Sequence, residues 1–476
     1  MPDETLKLRT LDGGEADIDL SLLEPIPEKG RLRPGDPGFD DATLIWNGLI
    51  DKEPALVIQP ENSDEVAIAV DLARDRRLLF SIKGGGHNIS GLALADHGLT
   101  LDMARMREVR VDPDQRLVHV GAGCLLGDVD RATQEHGLAT TLGFVSQTGV
   151  AGLTLGGGFG YLSRRFGFTV DDLVEVEMVT ADGLVHTASR ESEPDLFWAI
   201  RGGGGNFGVV TEFTYRLHDI GPGIVGGLIA WPASDHAEDV LGIYQELTAS
   251  APRELTLVST MRLAPPAPFI PEAWHGKLIV AMIACHTGDP RQAKRDLAPI
   301  KGFGNPVADL ITPKTYVEQQ SMLDATQPKG ANYYWKTEFI PEVNTDFLEA
   351  FLANGAGIES PMSQMMMFHI AGAVNDHEED DGAVGNRDAE YVSGAAGAWP
   401  ATDPNGAAYQ QWVRSSWERF RPFSTGGNYI NFQTTDDDVT RIQTSYRGNY
   451  ERLRRVKAEY DADNLFRVNR NLEPAR

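Results

Sequence analysis

Ser81-Ile-Lys-Gly-Gly-Gly-His87-Asn-Ile-Ser90-Gly91 is the stretch that decides how this chain is read. Three consecutive glycines, Gly84, Gly85 and Gly86, follow the apolar run Leu78 to Ile82 and precede an alternating stretch ending in Leu99-Thr-Leu-Asp-Met103. Glycines let backbone N–H groups approach an anion closely, and a run of them forms a concave nest for phosphates. His87 at the rim adds a nucleophilic nitrogen beside whatever those phosphates carry. The spacing matches neither a Walker A loop nor the Rossmann fingerprint.

Two further loops strengthen the reading. One is Gly149-Val-Ala-Gly152-Leu-Thr-Leu-Gly156-Gly157-Gly158-Phe-Gly160; the other is Arg201-Gly-Gly-Gly-Gly-Asn-Phe-Gly208, which runs into Val209-Val210. Glycine loses more conformational freedom on folding than any other residue, so this density needs a reason. Any one loop alone reads equally as a tight turn in a compact sheet or as a ligand loop. Together with His87 they point to backbone donors surrounding one extended, phosphate-bearing ligand.

Composition narrows the function. The chain has 476 residues, enough for two or three domains, and a net charge of −26. So acidic a body repels nucleic acid and anionic lipid, and neither is expected as a partner. Two cysteines, Cys124 and Cys285, build no disulfide scaffold and no zinc cluster. Met1 to Asp19 is polar and acidic, and no run of ~18 apolar residues occurs, so no leader, no membrane span and a cytoplasmic location are expected.

The chain reads in three parts: 1–218, 219–420 and 421–476. In the first, Asn62-Ser-Asp-Glu65 caps a helix carrying Val66, Val70 and Ala73 on one face. Valine pairs flanking Asp112-Pro-Asp-Gln115 predict a hairpin, Ala181-Asp-Gly183 marks another, and Pro194 opens a short helix. The middle part has longer apolar strands (226–231, 278–286, 333–340), which fits an antiparallel sheet backed by helices. Its acidic run Asp376 to Asp381 reads as a solvated loop, with a cation site as the alternative, and Met365 to Phe368 reads as core. The last part carries Asn428-Tyr-Ile-Asn431, one helix with Tyr446, Tyr450, Leu453 and Val456 on a single face, and Asn464-Leu-Phe-Arg-Val-Asn-Arg-Asn471.

These motifs, in this order and over most of the chain, resemble the berberine-bridge-enzyme-like FAD-linked oxidases of the vanillyl-alcohol oxidase superfamily, in their bacterial branch. The resemblance implies an α+β, two-domain fold. Residues 1–218 and the segment 421–476 form the FAD-binding domain, and 219–420 form a substrate domain built on an antiparallel sheet covered by helices. It implies FAD joined covalently to His87 through the flavin 8α-methyl group. Lys83, Gly84, Gly85, Gly86, Asn88, Gly91, Thr148, Gly149, Gly152, Gly156, Gly157, Gly158, Gly160, Gly208, Val209, Tyr429 and Asn431 complete the cofactor site. Many relatives carry a second link through a cysteine, but the aligned residue here is Val145, so a single link is expected. Thr148 falls where relatives gate oxygen.

Tyr429 matches a tyrosine that acts as catalytic base in several relatives; the alternative is a hydroxyl that fixes cofactor or substrate. A phenol has an ordinary pKa of about 10, so a base at neutral pH needs help from neighbouring donors or cations. Strand alternation puts Tyr333 and Trp335 on one face and Tyr334 and Lys336 on the other. Tyr333, Trp335 and Lys336 are the substrate-side candidates, with an aromatic core and a snorkelling lysine as the alternative. No metal site is expected. The activity implied is removal of a hydride from C–OH, C–NH or an activated phenol of a small organic or secondary-metabolite substrate, with O2 as acceptor. A carbohydrate oxidase, a dehydrogenase with another acceptor and a non-catalytic flavin-binding protein stay open as alternatives.

Overall fold

The computed structural model describes residues 5–476, so residues 1–4 of the N-terminal stretch lie outside the described residues. Asn62 caps the helix Ser63–Asp75 by accepting from the Glu65 N–H, and the buried face carries Val66, Val70 and Ala73. This helix packs beside a small sheet in which Leu56–Ile58, Leu99–Asp102 and Phe80–Lys83 run parallel, with Arg31–Leu32 antiparallel at the edge. The strand Phe80–Lys83 ends where the three glycines begin. That is the carboxyl end of a parallel strand, where open α/β sheets receive ligands.

A second, antiparallel sheet has the order Val185–Ser189, Leu173–Val179, Val209–Arg216, Leu117–Gly121, Val109–Asp112. Its two hairpins pair Val109 with Val120 and Val179 with Val185, around the two turns expected from the sequence. The two sheets share one core, and the end of the chain joins it: Tyr446, Leu453, Val456, Phe466 and Leu472 are buried there. The anticipated single helix over 446–456 is in fact two, Val439–Tyr446 and Tyr450–Tyr460, broken at Arg447, whose φ is 48°. The break lets the second helix turn its last residues onto the tail that follows.

The third sheet is antiparallel throughout: Ala308–Asp309, Ile224–Pro232, Leu278–His286, Leu255–Leu263, Gln364–His369, Tyr391–Trp399, Asn332–Ile340, with Thr312–Lys314 paired to Ile224–Pro232. One face is covered by the helices Ala233–Thr248, Thr345–Gly355 and Gly406–Phe420, which bury Met365, Met367 and Tyr334. Side chains alternate across a strand, so Met366, Phe368, Trp335 and Tyr333 point the other way, towards the glycine loops. The run 365–368 is therefore only half core in the ordinary sense, because its other half builds a cavity wall. No helix among the described residues is long and apolar enough to cross a membrane.

Candidate active site

One large cavity lies between the glycine loops and the free face of the third sheet. Gly84, Gly85, Gly86, Gly149, Gly152 and Gly208 form part of its first wall, joined by Gly204 and Gly205. Gly85 and Gly149 meet backbone to backbone, and a Cβ on either would collide with the other. A Cβ on Gly152 or Gly205 would meet nothing within 4 Å, so both present bare backbone to open space.

His87 sits on this wall in a stack. Its ring lies 4.4 Å from that of Trp46 at an interplanar angle of 12°, and Trp46 in turn stacks 3.7 Å from Tyr333. The Asn47 amide ties the stack together, donating to the carbonyls of Ile89 (2.6 Å) and Tyr333 (2.9 Å) and accepting from the Tyr333 N–H (3.0 Å). Burial lowers the His87 pKa to about 4, against a hydrogen bond to its own backbone carbonyl that pulls upward. The imidazole is therefore neutral, and its buried Nε2 has no hydrogen-bond partner. A buried, unpaired ring nitrogen is costly unless something else occupies the site.

Tyr429 lies deeper, with its hydroxyl oxygen accepting from the Gly158 N–H (3.2 Å) and from the Asn431 amide (2.8 Å). Asn431 also donates to the Leu153 carbonyl at 3.2 Å, and a carbonyl can only accept, which fixes the amide with its NH2 towards both partners. Burial pushes the phenol upward, while these two hydrogen bonds pull it down. Both lone pairs of the oxygen are thus engaged and its proton remains to be donated.

The sequence candidates divide accordingly. Asn88, Thr148, Trp335, Tyr429 and Asn431 line the cavity with His87 and the glycines above. The remaining candidates stand behind the wall. Gly156 abuts Asn431, Gly157 packs against Val384 near the edge of the Tyr429 ring, Gly158 supplies the hydrogen bond, and Gly160 passes against the Leu142 carbonyl. Gly91 turns against Ile50 with φ 63°, and Val209 is core. Tyr333 forms a second layer behind Trp46, donating its hydroxyl to the Pro328 carbonyl at 2.7 Å.

Two lysines are corrected. Lys83 points into the sheet and pairs with Asp102 at 3.0 Å. Lys336 lies on the helix side, held 2.8 Å from both Asp436 and Asp437, because one-residue alternation turns it away from Trp335. The acidic run 376–381 is also more than a solvated loop: Glu379 accepts from the Asn386 and Arg387 N–H groups, and Asp376 pairs with Arg253. No cluster that could hold a metal occurs among the described residues.

Several wall residues carried no sequence signal. Trp46 comes from a loop without a motif. Phe144 precedes the second glycine loop, Phe159 lies within it, and Phe432 follows Asn431. Thr260, Gln364, Met366 and Phe368 come from strands of the third sheet, and alternation within Gln364-Met-Met-Met-Phe368 could have placed three of them on one face. Val145 lines the wall, whereas Cys124 lies behind it with its thiol pushed by burial up to about 12.

Comparison with known proteins decides the family. Residues 54–189 match the FAD binding domain family and residues 428–473 match the berberine and berberine-like family. An FAD-linked oxidoreductase of Dictyostelium discoideum is 31% identical over 433 residues, covering 90% of this chain and 91% of that protein. The chain belongs to the berberine-bridge-enzyme-like FAD-linked oxidoreductases. The crystal structure of 6-hydroxy-D-nicotine oxidase from Arthrobacter nicotinovorans is also similar: TM-score 0.81, 27% identity, 95% of this chain and 99% of that one. Xylooligosaccharide oxidase from Myceliophthora thermophila shares the fold, with TM-score 0.82 at 22% identity over 96% of this chain and 100% of its own.

As a berberine-bridge-enzyme-like protein the chain is an enzyme, an FAD-linked oxidoreductase of the vanillyl-alcohol oxidase superfamily with its two-domain α+β fold. The cavity suits that cofactor. Bare backbone at Gly152 and Gly205 leaves room for a ligand to lie against the main chain, and His87 Nε2 lacks the partner that a bound group would supply.

Proposed function

We propose that the enzyme is an oxidase whose FAD is joined to His87 alone and whose substrate is a small, flat, uncharged secondary-metabolite-like molecule. Overall, substrate C–OH, C–NH or activated phenol loses a hydride and a proton, O2 gains both electrons and both protons, and hydrogen peroxide leaves. FAD supplies the hydride acceptor. Everything else falls to the chain's own side chains.

The neutral His87 imidazole, pressed flat by Trp46, offers Nε2 as the nucleophile for the tether. No cysteine lines the cavity among the described residues, which supports a single link. Tyr429 handles the substrate proton. Once its own proton has left, the oxygen keeps two donors, Gly158 N–H and the Asn431 amide, and these hold the phenolate while it accepts a proton from substrate.

The observation that carries the substrate reading is the aromatic cluster beside Tyr429, to which both sides of the cavity contribute. Phe144, Phe159, Trp335, Met366, Phe368 and Phe432 form an aromatic and thioether box with no charged side chain in it. The polar groups around it are few, chiefly Thr260, Gln327 and Gln364. A groove for an oligosaccharide needs many polar donors, whereas a few placed polar groups in an apolar pocket suit a flat organic molecule.

The test is anaerobic mixing of the yellow holoenzyme with two panels, one of phenols, cyclic amines and aromatic secondary alcohols, the other of oligosaccharides. Bleaching by the first panel, with peroxide formed on admitting air, is expected. Bleaching by oligosaccharides alone would overturn the substrate class. A flavin that stays reduced in air would overturn the oxidase.

A further inference from the structure

Arg470 stands out when the charges around the cavity are sorted: it is the one ionised side chain on the wall among the described residues. One of its terminal nitrogens donates to Ser90 Oγ and to the Gln433 carbonyl, and Ser90 Oγ also donates to Gln433 O at 2.7 Å. Its buried Nε has no partner. No carboxylate lies within ion-pair distance of it among the described residues, and the nearby Asp436 and Asp437 are already held by Lys336. Burial lowers its pKa only to about 10, so it remains a cation at neutral pH. A half-buried guanidinium with an unpartnered Nε and no counter-ion is costly. Such a residue is tolerated where a ligand brings the opposite charge.

We infer that Arg470 is the fixed positive charge of the cofactor site, placed at the ring end of FAD to hold the negative charge that reduction leaves there. The inference rests on the placement of His87 and Tyr429 at the flavin ring. FAD has two candidate anions, the pyrophosphate and the reduced ring. A hydride brings two electrons and one proton, so the reduced ring carries one negative charge at neutral pH. The anchors choose between them. Ser90 follows His87 by three residues and Gln433 follows Tyr429 by four, so the guanidinium is fixed to the two segments that carry the ring-end residues. The glycine loops offer uncharged backbone donors, the usual partners of phosphates. Arg470 also sits on a rigid base: its carbonyl accepts from Asn206 at 3.1 Å, and the preceding Asn469 donates to the Gly205 carbonyl at 3.0 Å. A preorganised charge of this kind favours the charged state without reorganisation.

The experiment compares holoenzymes of wild type, Arg470→Gln and Arg470→Lys for three readouts: FAD per chain, sulfite affinity and midpoint potential. Sulfite adds to the flavin ring through a new N–S bond and leaves the ring anionic, so its affinity reports stabilisation of that charge without any substrate. Expected are equal FAD content, a sulfite affinity at least tenfold weaker in Arg470→Gln, and an intermediate value in Arg470→Lys. A tenfold weaker hold on the reduced ring also lowers a two-electron potential by about 30 mV. Failure of Arg470→Gln to take up FAD during expression, with sulfite affinity and potential unchanged in the fraction that does, would assign the charge to the pyrophosphate and overturn the inference. No change in any readout would reduce Arg470 to a staple and overturn it too. Should Arg470→Gln not fold, the midpoint potential of Arg470→Lys against wild type decides: an unchanged potential would overturn the inference. Sulfite binding that depends on Arg470 in an enzyme that oxidises no substrate would leave this inference standing and remove only the oxidase reading.

Discussion

At the scale of single residues, the site turns on two side chains held by unusual neighbours. Tyr429 is buried with a raised pKa, so at neutral pH its oxygen is protonated. In its proposed role as base it becomes competent as pH rises, and kcat/KM should climb towards the alkaline side. Tyr429→Phe is expected to lower the rate of flavin reduction by about 10²- to 10⁴-fold, the range for a positioned acid–base group. Asn431→Ala removes a donor that pulls the phenol pKa down, so the alkaline limb should move to still higher pH while FAD stays bound. Stopped-flow reduction across a pH series reads both, and an unmoved limb in Asn431→Ala would show that the amide only fixes the loop. His87 depends on Trp46, whose ring packs against it at 4.4 Å. Trp46→Ala leaves the imidazole free to turn, and the fraction of yellow colour that survives acid precipitation should fall, with Trp46→Phe restoring most of it.

At the scale of elements, the loops are precise because their strands and helices are. The strand Phe80–Lys83 delivers the 84–91 loop, and the helix Tyr450–Tyr460 delivers the tail that carries Arg470. The fully buried Lys457 at that helix's last turn pairs with Asp461 at 2.6 Å and donates to the carbonyls of Asn206 and Phe466. Asp461 in turn accepts from the Leu465 and Phe466 N–H groups. Removing one partner strands the other, so Lys457→Met should cost about 3–5 kcal/mol and lower Tm measurably. The charge-neutral double change Lys457→Met with Asp461→Leu should recover part of the loss. Much of this frame was legible in the sequence, since glycine runs, a capping box and turn residues are local signals. The two helices replacing one over 439–460 were not: Tyr446, Leu453 and Val456 keep helical spacing across the break, and only Arg447 in a positive-φ conformation reveals it. Trp46 and Phe432 were hidden for a different reason: each lies in a segment without regular periodicity and meets its partners, such as Tyr333 and Trp335, only through the fold.

At the scale of the whole molecule, the cavity is the seam of the protein, and the chain closes it with polar ties. Arg164 donates to four carbonyls, those of Ala251, Pro252, Leu255 and Ala371. Asp324 accepts from Ser146 N–H at 2.9 Å and from its hydroxyl at 2.5 Å, fixing the segment that brings Leu323 and Gln327 to the wall. Between these ties lies apolar surface that only the ligand can cover, so bound FAD should be a large part of folding stability. A ligand that binds only the native state adds RT ln(1 + [L]/Kd), about 2.7 kcal/mol at a hundredfold excess over Kd. A tether changes the form of that dependence. With the proposed bond to His87 the wild-type flavin does not leave on dilution, so Tm should be the same at high and low protein concentration and after dialysis. His87→Ala can hold FAD only reversibly, and its Tm should fall on dilution and rise again when free FAD is added. A wild-type Tm that tracks free FAD as the variant's does would show that the cofactor is not covalently held, whatever its place in the cavity.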